Sequence, residues 1–372
     1  MFITTGCWNS RELSSVSILV GYGIDKAEES DKVQLTAQVV KIGQMAASKQ
    51  GGGSSGEEAF WNIKTSAETI FQAIRSMTFT VNRRLIGSHN QVTIISQDVA
   101  KEGISKYLEL YIRDHDNPRR VWLLISKGDA SEVLEVKPEL EKIPARYIAQ
   151  LVETSAATSQ VGTANLQEVY TRLMSKTTAP ILSMIEVLGE GEDKALQLTG
   201  TAVLKKDKYV GNLDKTETRG LLWVLGEIKG GVIVVECGKD KEEASLEIIK
   251  ADSKIIPEIK DDKINITVKI TEEGNIAELM CSQDVESPEV KATLEERKAD
   301  IIRNEIMAAL EKAKEWNTDI FGFGDAVHRK YPKQWKELED KWDEIFPNID
   351  VTIEVDAKLK GAGLVKKWFS SE

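Results

Sequence analysis

The longest apolar runs in this chain are no longer than β-strands. Runs such as Val121-Trp122-Leu123-Leu124-Ile125 and Val232-Ile233-Val234-Val235 are strand-sized, and neither approaches the ~20 apolar residues that carry a helix across a bilayer. Such a chain must bury its side chains against its own sheets and helices. Any hold on a membrane would then come through a covalent lipid. With 372 residues, 41% of them hydrophobic, it is long enough for two or three domains of roughly 100–200 residues each.

Strand and helix patterns succeed one another along the whole length. Val16–Asp25 and Lys32–Ile42 read as neighbouring strands, the second alternating through Val33, Leu35, Ala37 and Val39. Gly51-Gly52-Gly53-Ser54-Ser55-Gly56 is expected to be a solvated loop. Thr65-Ser66-Ala67-Glu68 fits a capping box for a helix through Ile70, Phe71, Ile74 and Met77. Gln91–Ser96 reads as a strand, Asp98 as the cap of a helix to about Asp114, and Arg120–Ser126 as another strand. Pro138 and Pro144 mark a connector, followed by helices over Ala145–Glu153 and Leu166–Met174.

Strands are then expected at Ile181–Val187, Ala195–Leu204 and Tyr209–Leu213. Thr216 is expected to cap a short helix closed by Gly226, and Gly231–Cys237 to be a buried strand. The last third carries strands at Ala244–Ile256, Lys263–Thr271 and Ile276–Cys281. A long helix over about 288–316 follows from the spacing of Ile302, Ile306, Ala309, Ala313 and Trp316. Trp335, Leu338, Trp342 and Ile345 give a shorter helix, and the alternation from Val351 to Leu359 gives a last strand. The pattern predicts an α+β fold of three successive domains, each a mainly antiparallel sheet surrounded by helices: 13–135, 136–238 and 239–372, after a tether over 1–12.

Charge and motifs remove several function classes. The formal net charge of −11 argues against a broad surface for nucleic acid or anionic lipid, and so against nucleic acid as a partner. His89, His115 and His328 are far apart, and no paired His or Cys at zinc spacing accompanies them. No nucleophile elbow, calcium loop or phosphate-binding motif occurs. Gly21-Tyr22-Gly23 and Gly322-Phe323-Gly324 lack the third glycine of a dinucleotide fingerprint and are expected to be turns. We therefore expect no catalytic residue, cofactor or metal. The aromatic and basic segment Phe321–Trp335 is expected mainly to be core, with a protein-contact surface as the alternative. Cys237 and Cys281 end expected strands. An exported protein could pair them, but two thiols without regular spacing are expected to be plain buried residues.

Cys7 is different. It stands in Thr5-Gly6-Cys7-Trp8-Asn9-Ser10-Arg11-Glu12-Leu13, where small residues before a cysteine suit lipoprotein processing, with 1–6 as the remnant of a signal. A complete signal has an apolar segment of about 7–15 residues after a basic start, whereas only Phe2 and Ile3 are apolar here. The chain as written is therefore expected to stay soluble and unmodified, and a gene product with a full leader to be lipid-anchored at Cys7.

Gly6-Cys7-Trp8, Arg11-Glu12-Leu13 and Gly23-Ile24-Asp25 at the front, with Arg113-Asp114, Arg119-Arg120 and Lys127-Gly128 further on, make a series that resembles the Ger(x)C family, lipoprotein C subunits of nutrient germinant receptors in spores of Bacillus-type bacteria. It continues through Gly200-Thr201-Ala202-Val203, Lys206-Asp207-Lys208, Gly211 and Glu217-Thr218-Arg219-Gly220-Leu221-Leu222-Trp223. Its most specific stretch is Phe321-Gly322-Phe323-Gly324, His328-Arg329-Lys330-Tyr331-Pro332, Trp335 and Trp342-Asp343. Asn9 stands where Asp is common in the family, and Lys360-Gly361-Ala362-Gly363 stands where basic residues and Thr precede its Gly.

The resemblance implies a non-enzymatic receptor component on the outer face of the spore inner membrane. It further implies membrane-embedded A and B subunits as partners and Cys7 as the diacylglycerol attachment point. The competing readings are an exported solute-binding protein that captures the nutrient, and an enzyme acting on the spore envelope.

Overall fold

The structure, a computed structural model, describes residues 16–29, 32–41, 58–113, 118–238, 242–261, 263–281 and 287–361. They divide into two compact units. One holds the chain through Gln150 with Asn165–Gln167 and Ile185–Gln197, and the other holds Leu151–Ala164, Glu168–Met184 and everything from Leu198 onward. Residues 136–238 thus contribute to both. The α+β class is as expected, whereas the Gly51–Gly56 loop lies outside the described residues.

In the first unit, β1 (Val16–Lys26), β2 (Val33–Val40) and β3 (Phe60–Ala67) form an antiparallel meander. Helix α1 (Ile70–Ser76) follows. Strands β4 (Arg84–Ile86) and β5 (Val92–Ser96) both run parallel to β1, at its beginning and further along respectively. Helices α2 (Gln97–Glu102) and α3 (Ser105–Arg113) lead to β6 (Trp122–Ser126), which is parallel to β5. Two expected caps shift. Thr65 lies in β3, held extended by its register opposite Leu35 of β2, and the cap is Thr69, whose Oγ1 accepts from the Gln72 N–H at 3.1 Å. The helix expected from Asp98 to Asp114 starts after Ser96 and breaks at Gly103, whose φ of 118° no ordinary helical residue adopts.

Gly21 and Gly23 are strand residues within β1 rather than a turn. A Cβ on Gly21 would lie 2.7 Å from the Ala145 Cβ, and one on Gly23 would lie 3.2 Å from the Ala130 backbone. These glycines let the helices α4 (Ala130–Val133) and α5 (Pro144–Ser155) sit directly on the strand. Two buried polar side chains fasten the same layer. Asp25 accepts from the N–H groups of Ala130 (2.6 Å) and Ser131 (2.9 Å). Gln38 accepts from the Ala145 N–H at 2.8 Å and donates to the Leu134 carbonyl at 2.8 Å.

Helix α6 (Leu166–Met174) coincides with its expected span. Strands β7 (Ile181–Leu188) and β8 (Ala195–Lys205) have residues in both units, and β9 (Lys208–Leu213) pairs antiparallel with β8. Helix α7 (Lys215–Leu225) begins with a capping box between Asp214 and Glu217, so that its cap lies two residues before the Thr216 expected. It ends at Gly226 in the left-handed conformation.

The second sheet has the order β10-β11-β12-β13. Strand β10 (Val232–Glu236) is an edge with Val232 and Val234 about half exposed, so the expected buried strand is buried on one face only. Strands β11 (Glu243–Lys260) and β12 (Lys263–Leu279) form a long antiparallel ribbon, and the two strands expected at 263–271 and 276–281 are one. Helix α8 (Pro288–Glu315) matches its expectation, with Leu294, Ile302, Ile306, Ala309 and Ala313 buried in the core. After it come α9 (Phe323–Lys330), α10 (Pro332–Leu338) and α11 (Trp342–Ile345), the last two replacing one expected helix. Strand β13 (Asp350–Gly361) runs parallel to β12.

Cys237 and Cys281 are joined in a disulfide, with Cα atoms 6.1 Å apart, where free buried thiols were expected. The pairing follows from the sheet. The Cys237 N–H donates to the Glu242 carbonyl at 2.7 Å and the Met280 N–H to the Glu243 carbonyl at 2.9 Å. The ends of β10 and β12 therefore meet at the start of β11, a proximity that their sequence separation of 44 residues hides.

Candidate functional site

The expected site residue, Cys7, lies outside the described residues, as does His115. His89 and His328 are both exposed, and the His328 ring stacks on Trp335 with centroids 5.7 Å apart. Among the described residues, no group of three or more His, Cys, Asp or Glu is placed to hold a metal ion. The segment Phe321–Trp335 turns most of its aromatic residues inward. Phe321, Phe323 and Trp335 are buried together with Trp342 and Phe346, and His328, Arg329 and Lys330 stay at the surface. The core reading holds for the aromatic residues.

One buried carboxylate organises this segment. Asp319 accepts from the backbone N–H groups of Phe321, Gly322 and Phe323 through Oδ1, and from that of Gly324 (2.8 Å) and the Trp342 Nε1–H (3.2 Å) through Oδ2. Gly322 takes a φ of 74° to bring these N–H groups round one carboxylate. Burial pushes the Asp319 carboxyl up to about 6, against the opposing pull of its donors. A few residues on, Asp325 accepts from the hydroxyls of Ser175, Thr177 and Thr178, the last at 2.5 Å. Arg172 closes the arrangement by donating to the carbonyls of Ala179 (3.0 Å) and Ile320 (3.3 Å).

Two buried ion pairs lie elsewhere in the same unit. Where α7 crosses α8, the Arg219 guanidinium makes a forked contact with the Glu305 carboxylate, which also accepts from the Trp223 Nε1–H at 2.9 Å. The third Arg219 direction is filled by the Val232 carbonyl at 2.9 Å. Under β12, Lys298 Nζ donates to Glu272 Oε1 at 2.6 Å, and both side chains are fully buried. Burial drives this pair toward neutrality from both sides, raising the Glu272 carboxyl and lowering the Lys298 ammonium. Gly274 leaves the space they need, since a Cβ there would run into Lys298 Nζ and the Glu247 carbonyl.

These charges hold helices and loops in place. Asp319 and Glu305 are each met by several donors and Lys298 by one carboxylate oxygen, whereas Glu272 Oε2 is buried without a hydrogen-bond partner. In the sequence, Arg219 and Trp223 stood out only as points of resemblance, and the Phe321–Gly324 run also as core and as a turn. Asp319, Glu305, Glu272 and Lys298 were missed altogether. Their signal was a charged residue inside an otherwise apolar period, visible at Lys298 and Glu305 on the buried face of α8.

The molecule so defined is an α+β protein whose buried charges serve its packing. A family model described as "Spore germination protein N-terminal domain" matches residues 9–187. A second, "Spore germination B3/ GerAC like, C-terminal", matches residues 199–363. The chain is 28% identical to Spore germination protein KC of Bacillus subtilis (strain 168), covering 98% of this chain and 94% of that one. Spore germination protein A3 of the same organism is 25% identical over 98% of this chain and 96% of its own. A crystal structure of the GerBC protein superposes with a TM-score of 0.57 at 19% identity, over 91% of this chain and 96% of the other. The chain belongs to the Ger(x)C family of spore germination proteins.

Proposed function

We propose that this protein is the non-enzymatic C subunit of a nutrient germinant receptor, held on the outer face of the spore inner membrane by a diacylglycerol on Cys7. The observation that carries this reading is the end-to-end match to proteins named for spore germination, combined with a Gly-Cys pair seven residues into the sequence. No helix among the described residues is long and apolar enough to cross a membrane. In this reading a lipid supplies the anchor, and the stable hold comes from more than one acyl chain. Membrane-embedded A and B subunits are its partners, and its two units present surfaces to them without chemistry of their own.

The test is Cys7→Ala in the gene with its complete leader. The variant should leave the spore membrane fraction and lower the germination response to nutrients. An unchanged membrane fraction together with unchanged germination would contradict the reading.

A further inference from the structure

Between Glu68 and Asp98 the chain carries no acidic residue, although it has 60 of them in total. The same window contributes Arg75, Arg83 and Arg84, and the fold gathers them. Arg75, Thr78, Val81, Asn82, Arg83 and Arg84 line one surface cleft of about 580 Å³ at the end of α1 and the start of β4. All three arginines are exposed, and among the described residues none has a carboxylate within ion-pair distance. Glu109 of α3 is engaged by Arg113 at 2.7 Å.

Two aromatic rings stand beside this charge. Phe79 is 92% exposed, and Phe71 is 51% exposed with the Arg75 guanidinium over its ring at 4.9 Å. Exposed rings flanked by unpaired arginines suit a surface that is apolar beneath and anionic at its face, which is the profile of a phospholipid bilayer. Topology adds an independent constraint. Strand β4 pairs parallel with β1 so that Arg84 lies opposite Val16. Val16 is nine residues beyond Cys7, and nine residues span at most ~30 Å however they run. A lipid on Cys7 would therefore hold the cleft close to the bilayer.

We propose that the Arg75–Arg83–Arg84 cleft and Phe79 form a second membrane contact, which presses the first unit against anionic phospholipid headgroups. The inference rests on the reading of Cys7 as the anchor. Net charge does not oppose it strongly, because charges farther than a Debye length of ~8 Å from the bilayer are screened at physiological ionic strength. The contact fixes which face of a tethered subunit looks at the membrane. The opposite faces of the first unit are then free to meet protein partners.

The test uses the full unmodified chain and vesicle sedimentation, so that no lipid on Cys7 contributes. The chain should sediment with phosphatidylcholine vesicles containing phosphatidylglycerol and not with phosphatidylcholine alone. Binding should weaken as salt is raised. Removing each arginine should weaken partitioning roughly fivefold, with Arg83→Gln and Arg84→Gln each showing that loss if the double charge reversal R83E/R84E fails to fold. Phe79→Ser should weaken it further. Equal binding to both vesicle types, or anionic binding unchanged by the arginine variants, would overturn the proposal. Displacement by inorganic phosphate beyond the effect of matched chloride would also overturn it, because the cleft would then be a site for the free ion. These outcomes leave the Cys7→Ala fractionation untouched, so the two readings fail separately.

Discussion

Lys298 and Glu272 show how a single pair decides what a strand can do. Neither residue is tolerable alone where both are fully buried, since an isolated charge there loses its hydration without return. Lys298→Met should therefore destabilise the protein by about 3–5 kcal/mol, whereas Lys298→Met with Glu272→Leu should be close to neutral or more stable. Urea unfolding of the two singles and the double measures the coupling, and additive losses would exclude it. Asp319 carries a pH dependence. Its folded-state value near 6 lies above the ordinary 3.8, so between those values the folded protein binds more protons than the unfolded chain. Its contribution must fall as pH rises from about 4 to 6, by at most ~3 kcal/mol. Asp319→Asn removes that titration while keeping an oxygen toward Gly322 and Phe323. Stability of the parent relative to the variant should therefore decline from pH 4 to pH 7, and a flat difference would show that the carboxylate is not desolvated.

Elements with one strong period were legible, and elements governed by a distant partner were not. β5, β6, α6, α8 and β13 fall where alternation or helical spacing placed them. The same reasoning split β12 at Glu272-Glu273-Gly274-Asn275, where the apolar alternation through Ile264, Ile266, Val268 and Ile270 is interrupted before Ile276. The strand continues because Lys298, contributed by α8, neutralises the one acid that points inward. Thr65 and Thr69 are each followed three residues later by a residue able to complete a cap, and only the pairing of β3 with β2 selects the second. Gly21 and Gly23 were indistinguishable from turn glycines until the helices that need their missing side chains were in place. Helix crossing offers a prediction of the same kind. A Cβ on Gly220 of α7 would run into the backbone of Glu305 and Ile306 on α8. Gly220→Ala should thus cost about 1–3 kcal/mol despite the ~1 kcal/mol by which alanine favours a helix. Chemical unfolding reads the outcome, and a stabilised variant would mean that the two helices can part.

At the scale of the whole molecule, the features on which the proposed membrane attachment rests are distributed unevenly. The second unit holds two buried ion pairs and has the ends of β10 and β12 tied by the Cys237–Cys281 disulfide. The first unit carries the arginine cleft and receives the chain from Cys7. Fold class and the family were readable because the motifs run in order from one end to the other. The arginine cleft was not, because Arg75 and the Arg83-Arg84 pair come together only when α1 packs on β2 and β3 and β4 pairs with β1. In the proposed function, a lipid on Cys7 holds this protein to its membrane. The most direct measurement is mass spectrometry of the N-terminal peptide of the protein extracted from spore inner membranes, expressed from the gene with its complete leader. The account predicts a peptide that begins at Cys7 and carries a diacylglycerol on its sulfur. A mature protein in which the residues before Cys7 are retained and the thiol is unmodified would contradict it.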